Sequence, residues 1–227
     1  MIHSPCARVS RQSHPHPGFT LLELLVVLGI VGLLAALFLP ALARARARAQ
    51  GILCTGQLHQ IGLAIQMYAE DHNNEWPRSQ HSALSHRQSP WAKAIAPYLG
   101  TTAESWTNLF ATVYHCPADL RSHIWSYGLN VYFELGPDDD YRGRPQTWRR
   151  TTQIRRPTQT ILMAENASDA DHIMPNFWDR PEDVTDVARR RHATRSNYLF
   201  ADGHAEPRTF ESTYNPARNV DLWHPEP

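Results

Sequence analysis

Apolar residues run almost without interruption over residues 19–39, where only Thr20, Glu23, Gly29 and Gly32 depart from the strongly apolar set. Seventeen of these 21 positions are apolar and no polar face is left, which suits lipid better than a half-buried surface. As a helix the run spans roughly 30 Å, the thickness of a bilayer core. Beyond Pro40 the sequence turns rich in Ala and Arg, strongly helical, with Arg44, Arg46 and Arg48 girdling the helix where it would leave the membrane. Cys54, Leu58, Ile61, Ile65 and Tyr68 then recur at spacings of four, three, four and three, with polar residues between them. That stripe must cover a soluble core. Asp71 to Asn74, followed by Trp76-Pro77, supplies the stop. The pattern therefore predicts one helix from Phe19 to about Asp71, roughly 80 Å long, kinked where Pro40 removes the bond to the Ala36 carbonyl.

The remainder reads as short elements joined by much loop. Ser89-Pro90-Trp91 opens a short helix that Gly100 can close. Strands are expected at 112–115, 124–129, 160–164, 197–201 and 204–209. Asp202-Gly203 between the last two is a strong hairpin signal, because the favoured two-residue turn needs positive φ at both central positions. The stretches 136–150 and 165–191 are long loops rich in Pro, Asp, Arg and Trp. The expected fold class is α+β: a long N-terminal helix, membrane-spanning and then amphipathic, packed on a small antiparallel sheet. Residues 1–18 form a leader, 19–74 the helix with its membrane segment at 19–39, and 75–227 a globular α+β head.

Composition narrows the classes. The 227 residues carry 22 Lys+Arg against 22 Asp+Glu, so the formal net charge is zero. A neutral chain with three girdling arginines predicts no nucleic-acid partner. A mean hydropathy of −0.47 excludes a multi-span membrane protein. Three cysteines without a C-x-x-C pair exclude the common zinc-ribbon pattern. The first 18 residues contain Arg8 and Arg11 and no acidic residue, as a targeting leader does. Cleavage before the apolar run would remove Cys6 and leave Cys54 and Cys116, which permits one disulfide in an extracytoplasmic domain. Two buried thiols are the alternative.

The run Gly18-Phe19-Thr20-Leu21-Leu22-Glu23-Leu24-Leu25-Val26-Val27 resembles the class III signal of type IV prepilins and type II secretion pseudopilins. The resemblance implies cleavage after Gly18 by a prepilin peptidase, methylation of the new N-terminus at Phe19, and a role in assembly for Phe19 and Glu23. Pro17 departs from the pattern, standing where Lys or Arg is common. The C-terminal half is similar to a pilin-like family marked by His, nine residues, then Asp-Gly, here His192 through Asp202-Gly203. Residues 57–64, 68–73, Cys116-Pro117-Ala118-Asp119 and 126–130 also resemble that family. The implied function is a pseudopilin-like filament subunit of a type II secretion or type IV pilus-like system. The implied location is single-pass in the inner (cytoplasmic) membrane, with the head in the periplasm or outside the cell. The implied partners are the peptidase, other pilin-like subunits and an inner-membrane assembly platform. Repeating one head-to-tail contact between such helices gives an open filament.

Candidate chemistry is sparse. Glu23 is an ionisable group in a spanning segment, which is costly unless paired and so marks function. His192 with Asp202 and Gly203 reads as a structural clamp, a hydrogen bond tying the loop to the hairpin. Neither G-x-S-x-G nor H-E-x-x-H accompanies it, and no catalytic residue is expected. Glu134, Asp138, Asp140, Asp169 and Asp171, with Glu165, offer oxygens to calcium, which takes six to eight of them. Seven Trp and eight Tyr raise an alternative of another class: a membrane-anchored extracytoplasmic binding module that presents aromatics to polysaccharide or protein without polymerising.

Overall fold

The computed structural model describes residues 20–121, 125–134 and 148–226. The leader, Phe19 and nearly all of the loop at 136–150 lie outside them. Helix α1 runs Leu21–Asp71 without interruption, Pro40 included. Contact density divides the chain into two units, parting at Arg44 and Ala45.

In the first unit the apolar side chains from Leu21 to Leu42 are exposed, and the helix is long and apolar enough to cross a membrane. The Arg44 guanidinium Nε reaches back to the Pro40 carbonyl at 3.3 Å.

In the second unit the rest of α1 buries Cys54, Leu58, Ile61, Gly62, Ala64, Ile65 and Ala69. This is the expected stripe, with Tyr68 half-buried at its edge. The stripe covers one face of a five-stranded sheet of order β3-β1-β2-β4-β5. The strands are β1 (Tyr127–Asn130), β2 (Ile161–Glu165), β3 (His172–Ile173), β4 (Ser196–Phe200) and β5 (Ala205–Arg208). All pairs are antiparallel except β1 with β3. Two further short strands, β6 (Tyr214–Asn215) and β7 (Val220–Asp221), pair with each other. Along β4 the pleat sends Leu199 to the helix side and Tyr198 and Phe200 to the opposite side, where Trp178, Phe210 and Trp223 close a second core. With both faces covered, β1, β2 and β4 are buried throughout.

Two short helices, α2 (Gln80–Ser85) and α3 (Trp91–Ala94), follow α1. Pro90 rather than Ser89 takes the N-cap position of α3, and the chain continues as a 3-10 turn that Gly100 closes at φ 78°. The strand expected at 112–115 is a turn instead. The Leu109 carbonyl accepts from both Thr112 N and Tyr114 N, and the Tyr114 hydroxyl donates to the Ala92 carbonyl at 2.7 Å. Those bonds leave no extended backbone there to pair. The last hairpin also differs from the two-residue form. Gly203 N donates to the Phe200 carbonyl at 2.9 Å, and of Asp202 and Gly203 only the glycine has positive φ, 91°. This is a three-residue connection with its glycine in the left-handed position.

Candidate functional site

Three local arrangements bear on function. The first opens α1. Thr20 N and Thr20 Oγ1 both donate to Glu23 Oε2 at 2.9 Å, and Glu23 N donates to Thr20 Oγ1 at 3.2 Å. Thr20-x-x-Glu23 is thus a reciprocal capping box. Glu23 therefore has a partner within its own chain, and the T-x-x-E spacing is the sequence signal for it. Gly18 and Phe19 lie outside the described residues.

The second arrangement gathers four segments around His192. Cys54 on the buried stripe of α1 and Cys116 are joined as a disulfide, with Cα atoms 5.3 Å apart and a sequence separation of 62. Cys116 Sγ lies 3.5 Å from His192 Nε2, and the same nitrogen lies 2.7 Å from Glu165 Oε1. Glu165 ends β2 and is fully buried; the His192 side chain is 9% exposed. Ser196 Oγ and Asn197 N hold the other oxygen, Glu165 Oε2, at 2.8 and 2.9 Å. The backbone of His192 exchanges hydrogen bonds with Arg195 across a tight turn, which sets the ring's direction. A cleft of about 330 Å³ reaches His192 from outside, lined by Arg48, Gly51, Thr55, Arg195 and Asn197 among others.

The third lies next to it. Asp119, only 3% exposed in its side chain, meets Arg121 at 2.7 Å and Arg191 at 2.9 Å. Both arginines also donate to the Asn166 carbonyl, and Arg191 donates to the Ser126 carbonyl at 2.8 Å. Burial alone would raise the Asp119 carboxyl; hydrogen bonds from Arg121 and the charge of Arg191 outweigh it and hold the pKa below the usual value. This network joins the Cys116-Pro117-Ala118-Asp119 stretch to the residue before His192.

The expected hydrogen bond between His192 and Asp202 is replaced by these partners. Asp202 instead bonds the His204 ring at 2.5 Å, and the Gly203 carbonyl lies 3.0 Å from His59 Nδ1 on α1. Of the acidic candidates, Glu134 accepts from Ser79 N and Ser79 Oγ at 2.6 and 2.8 Å. Asp171 accepts from Gln80 N at 2.7 Å, and Asp169 is exposed. Among the described residues they do not converge as a set of three ligands, whereas Cys54, Cys116, Glu165 and His192 do converge. Asp138 and Asp140 lie outside the described residues.

The long apolar-then-amphipathic helix, its capped N-terminus and the antiparallel sheet define a prepilin-like protein. Residues 16–39 match the prokaryotic N-terminal methylation motif. Residues 43–186, more than half of the chain, match the family described as "Protein of unknown function (DUF1559)", and the chain belongs to that family. It is also similar to the type IV wide pilus major component PilA4 of Thermus thermophilus, 40% identical over 68 residues. That alignment covers 30% of this chain and 51% of the relative, so the chain spans about half the length of the curated relative it matches. No solved structure matches.

Proposed function

We propose that the chain is a pilin-like subunit, cut between Gly18 and Phe19 by a prepilin peptidase and methylated on Phe19. It then joins other pilin-like subunits at an inner-membrane platform of a type IV pilus-like or type II secretion system. One observation carries this reading: the methylation motif matches residues 16–39, and from Leu21 onward those residues belong to a helix of membrane-crossing length and composition. The likeness to a wide pilus component supports a filament role. In this reading residues 21–39 anchor the subunit and the sheet-bearing unit faces the periplasm or the exterior.

The aromatic-presenting alternative gains no support from the tryptophans. Trp76, Trp91, Trp148, Trp178 and Trp223 are buried, and Trp106 and Trp125 pack against the core. Mass spectrometry of the mature N-terminus tests the proposal. An N-methylated Phe19 is expected, with precursor accumulating when Gly18 is replaced by a bulky residue. An intact Met1 N-terminus on protein recovered from envelope filaments would defeat it.

A further inference from the structure

The cluster around His192 is over-equipped for a structural histidine. Four side chains from four separate segments place two sulfurs, an imidazole nitrogen and a carboxylate oxygen within 4.8 Å of one another. Three of them are fully buried and the fourth nearly so. We propose that, with Cys54 and Cys116 in their thiolate form, these four residues bind one zinc ion, and that formation of the Cys54–Cys116 disulfide releases it.

The donor set selects the metal class. Two thiolates, one imidazole and one carboxylate suit a four-coordinate, borderline-soft ion and are wrong for calcium, which needs more oxygens. Tetrahedral bonds of 2.0–2.3 Å require ligand atoms about 3.3–3.8 Å apart. The Cys116 Sγ to His192 Nε2 separation of 3.5 Å already lies in that range. The His192 to Glu165 contact of 2.7 Å would open by roughly half an ångström to admit the ion. Breaking the sulfur–sulfur bond lets the two sulfurs part.

Supports are in place behind the ligands. Ser196 Oγ and Asn197 N fix Glu165 through Oε2, and Oε1, which also accepts from Asn197 Nδ2 at 3.3 Å, faces His192. Such outer hydrogen bonds orient ligating carboxylates. Zinc with two thiolates and one carboxylate carries a net charge of minus one, and the adjoining Arg191, Arg121 and Asp119 network carries plus one. The cleft at His192 supplies a path for the ion.

The redox step balances as thiol–disulfide exchange. One protein thiolate attacks a small disulfide oxidant and expels its first thiolate, and the second protein thiolate displaces the other from the mixed disulfide. Two electrons in all pass to the oxidant, the Cys54–Cys116 bond forms, and zinc departs, while a dithiol reductant runs the reverse.

The test uses the full-length chain in detergent, reduced or oxidised, titrated with Co²⁺ and then Zn²⁺. The reduced chain is expected to bind one equivalent of Co²⁺, with thiolate charge-transfer absorption and tetrahedral visible bands that Zn²⁺ bleaches. The oxidised chain should bind at least tenfold more weakly. His192→Ala and Glu165→Gln, each checked for folding in the disulfide form, should weaken binding at least tenfold and alter the visible bands. In a second measurement, Zn²⁺ should slow alkylation of Cys54 and Cys116 in the reduced wild type and not in His192→Ala. No charge-transfer absorption from the reduced wild type would overturn the proposal. So would the same spectrum from the doubly substituted Cys54→Ser, Cys116→Ser chain, or one unmoved by both His192→Ala and Glu165→Gln.

Discussion

His192 Nε2 sits 2.7 Å from Glu165 Oε1, across the β2–β4 pairing, and not beside the aspartate that ends its own sequence motif. The histidine therefore secures the turn before β4 to a buried carboxylate. Replacing it by alanine leaves Glu165 buried with only neutral donors. Losing a hydrogen bond to a buried carboxylate costs about 1.5–3 kcal/mol, and the bonds from Ser196 and Asn197 should keep His192→Ala near the lower end. Asp202→Ala loses an exposed contact to His204 and should cost no more than about 1 kcal/mol. Denaturant unfolding of both variants distinguishes the arrangements; equal losses would restore Asp202 as the motif's anchor.

The disulfide braces α1 against the segment leading to β1. Closing a loop across a sequence separation of 62 contributes about 4 kcal/mol through the entropy of the unfolded state. Reduction without added metal should lower the melting temperature of the sheet-bearing unit. Mass spectrometry after alkylation in denaturant should find neither Cys54 nor Cys116 modified until a reductant is added. Two labelled thiols without reductant would show that the bridge does not form in the isolated protein.

Asp119 gives the pH dependence a definite sign. Its folded pKa lies below the unfolded value of about 3.9, so the carboxylate contributes stability above that pH and loses it as pH falls through the folded pKa. Asp119→Asn removes the anion between two arginines and should cost about 3–5 kcal/mol at neutral pH. The variant should also lose less stability than the wild type on acidification from pH 5 to pH 2. Parallel stability curves for the two proteins over that range would contradict the assignment.

Local periodicity made the frame legible. The stripe from Cys54 to Ile65 is buried as its spacing requires, and β2, β4 and β5 fall within a residue of their apolar or hairpin signals. What escaped was set by contacts distant in sequence. β3 is only two residues inside a polar loop, and it approaches β1 where Gly128 has no side chain: a Cβ there would lie 2.9 Å from Ile173 Cγ1. Thr112 to His115 has strand-like composition, yet the Leu109 and Ala92 carbonyls capture it as a turn. His192 was conspicuous by its motif, but its partners are 27 and 76 positions away. Spacing within the motif could not reveal them. The Thr20 to Glu23 box, by contrast, is local and legible in the T-x-x-E spacing alone.

That box changes what a substitution at Glu23 reports. In the proposed assembly, the ammonium that cleavage would create on Phe19 would meet a neighbour's Glu23 carboxylate, and an ionised group in a spanning segment would favour the register that pairs it. Glu23→Ala removes this charge, but it also removes the acceptor for Thr20 N and Thr20 Oγ1 and so loosens the first turn. Glu23→Gln separates the two effects, because a glutamine at the third helical position still closes a capping box while carrying no charge. If intersubunit charge pairing sets register, Glu23→Gln and Glu23→Ala should both be inserted and cleaved normally yet enter sheared filaments at a small fraction of the wild-type yield. Glu23→Asp should be intermediate, because it keeps the charge on a shorter side chain. If capping is what assembly requires, Glu23→Gln should assemble like the wild type while Glu23→Ala fails. Immunoblots of membrane and sheared-filament fractions from the three variants decide between them, and wild-type filament yield from Glu23→Gln would refute charge pairing.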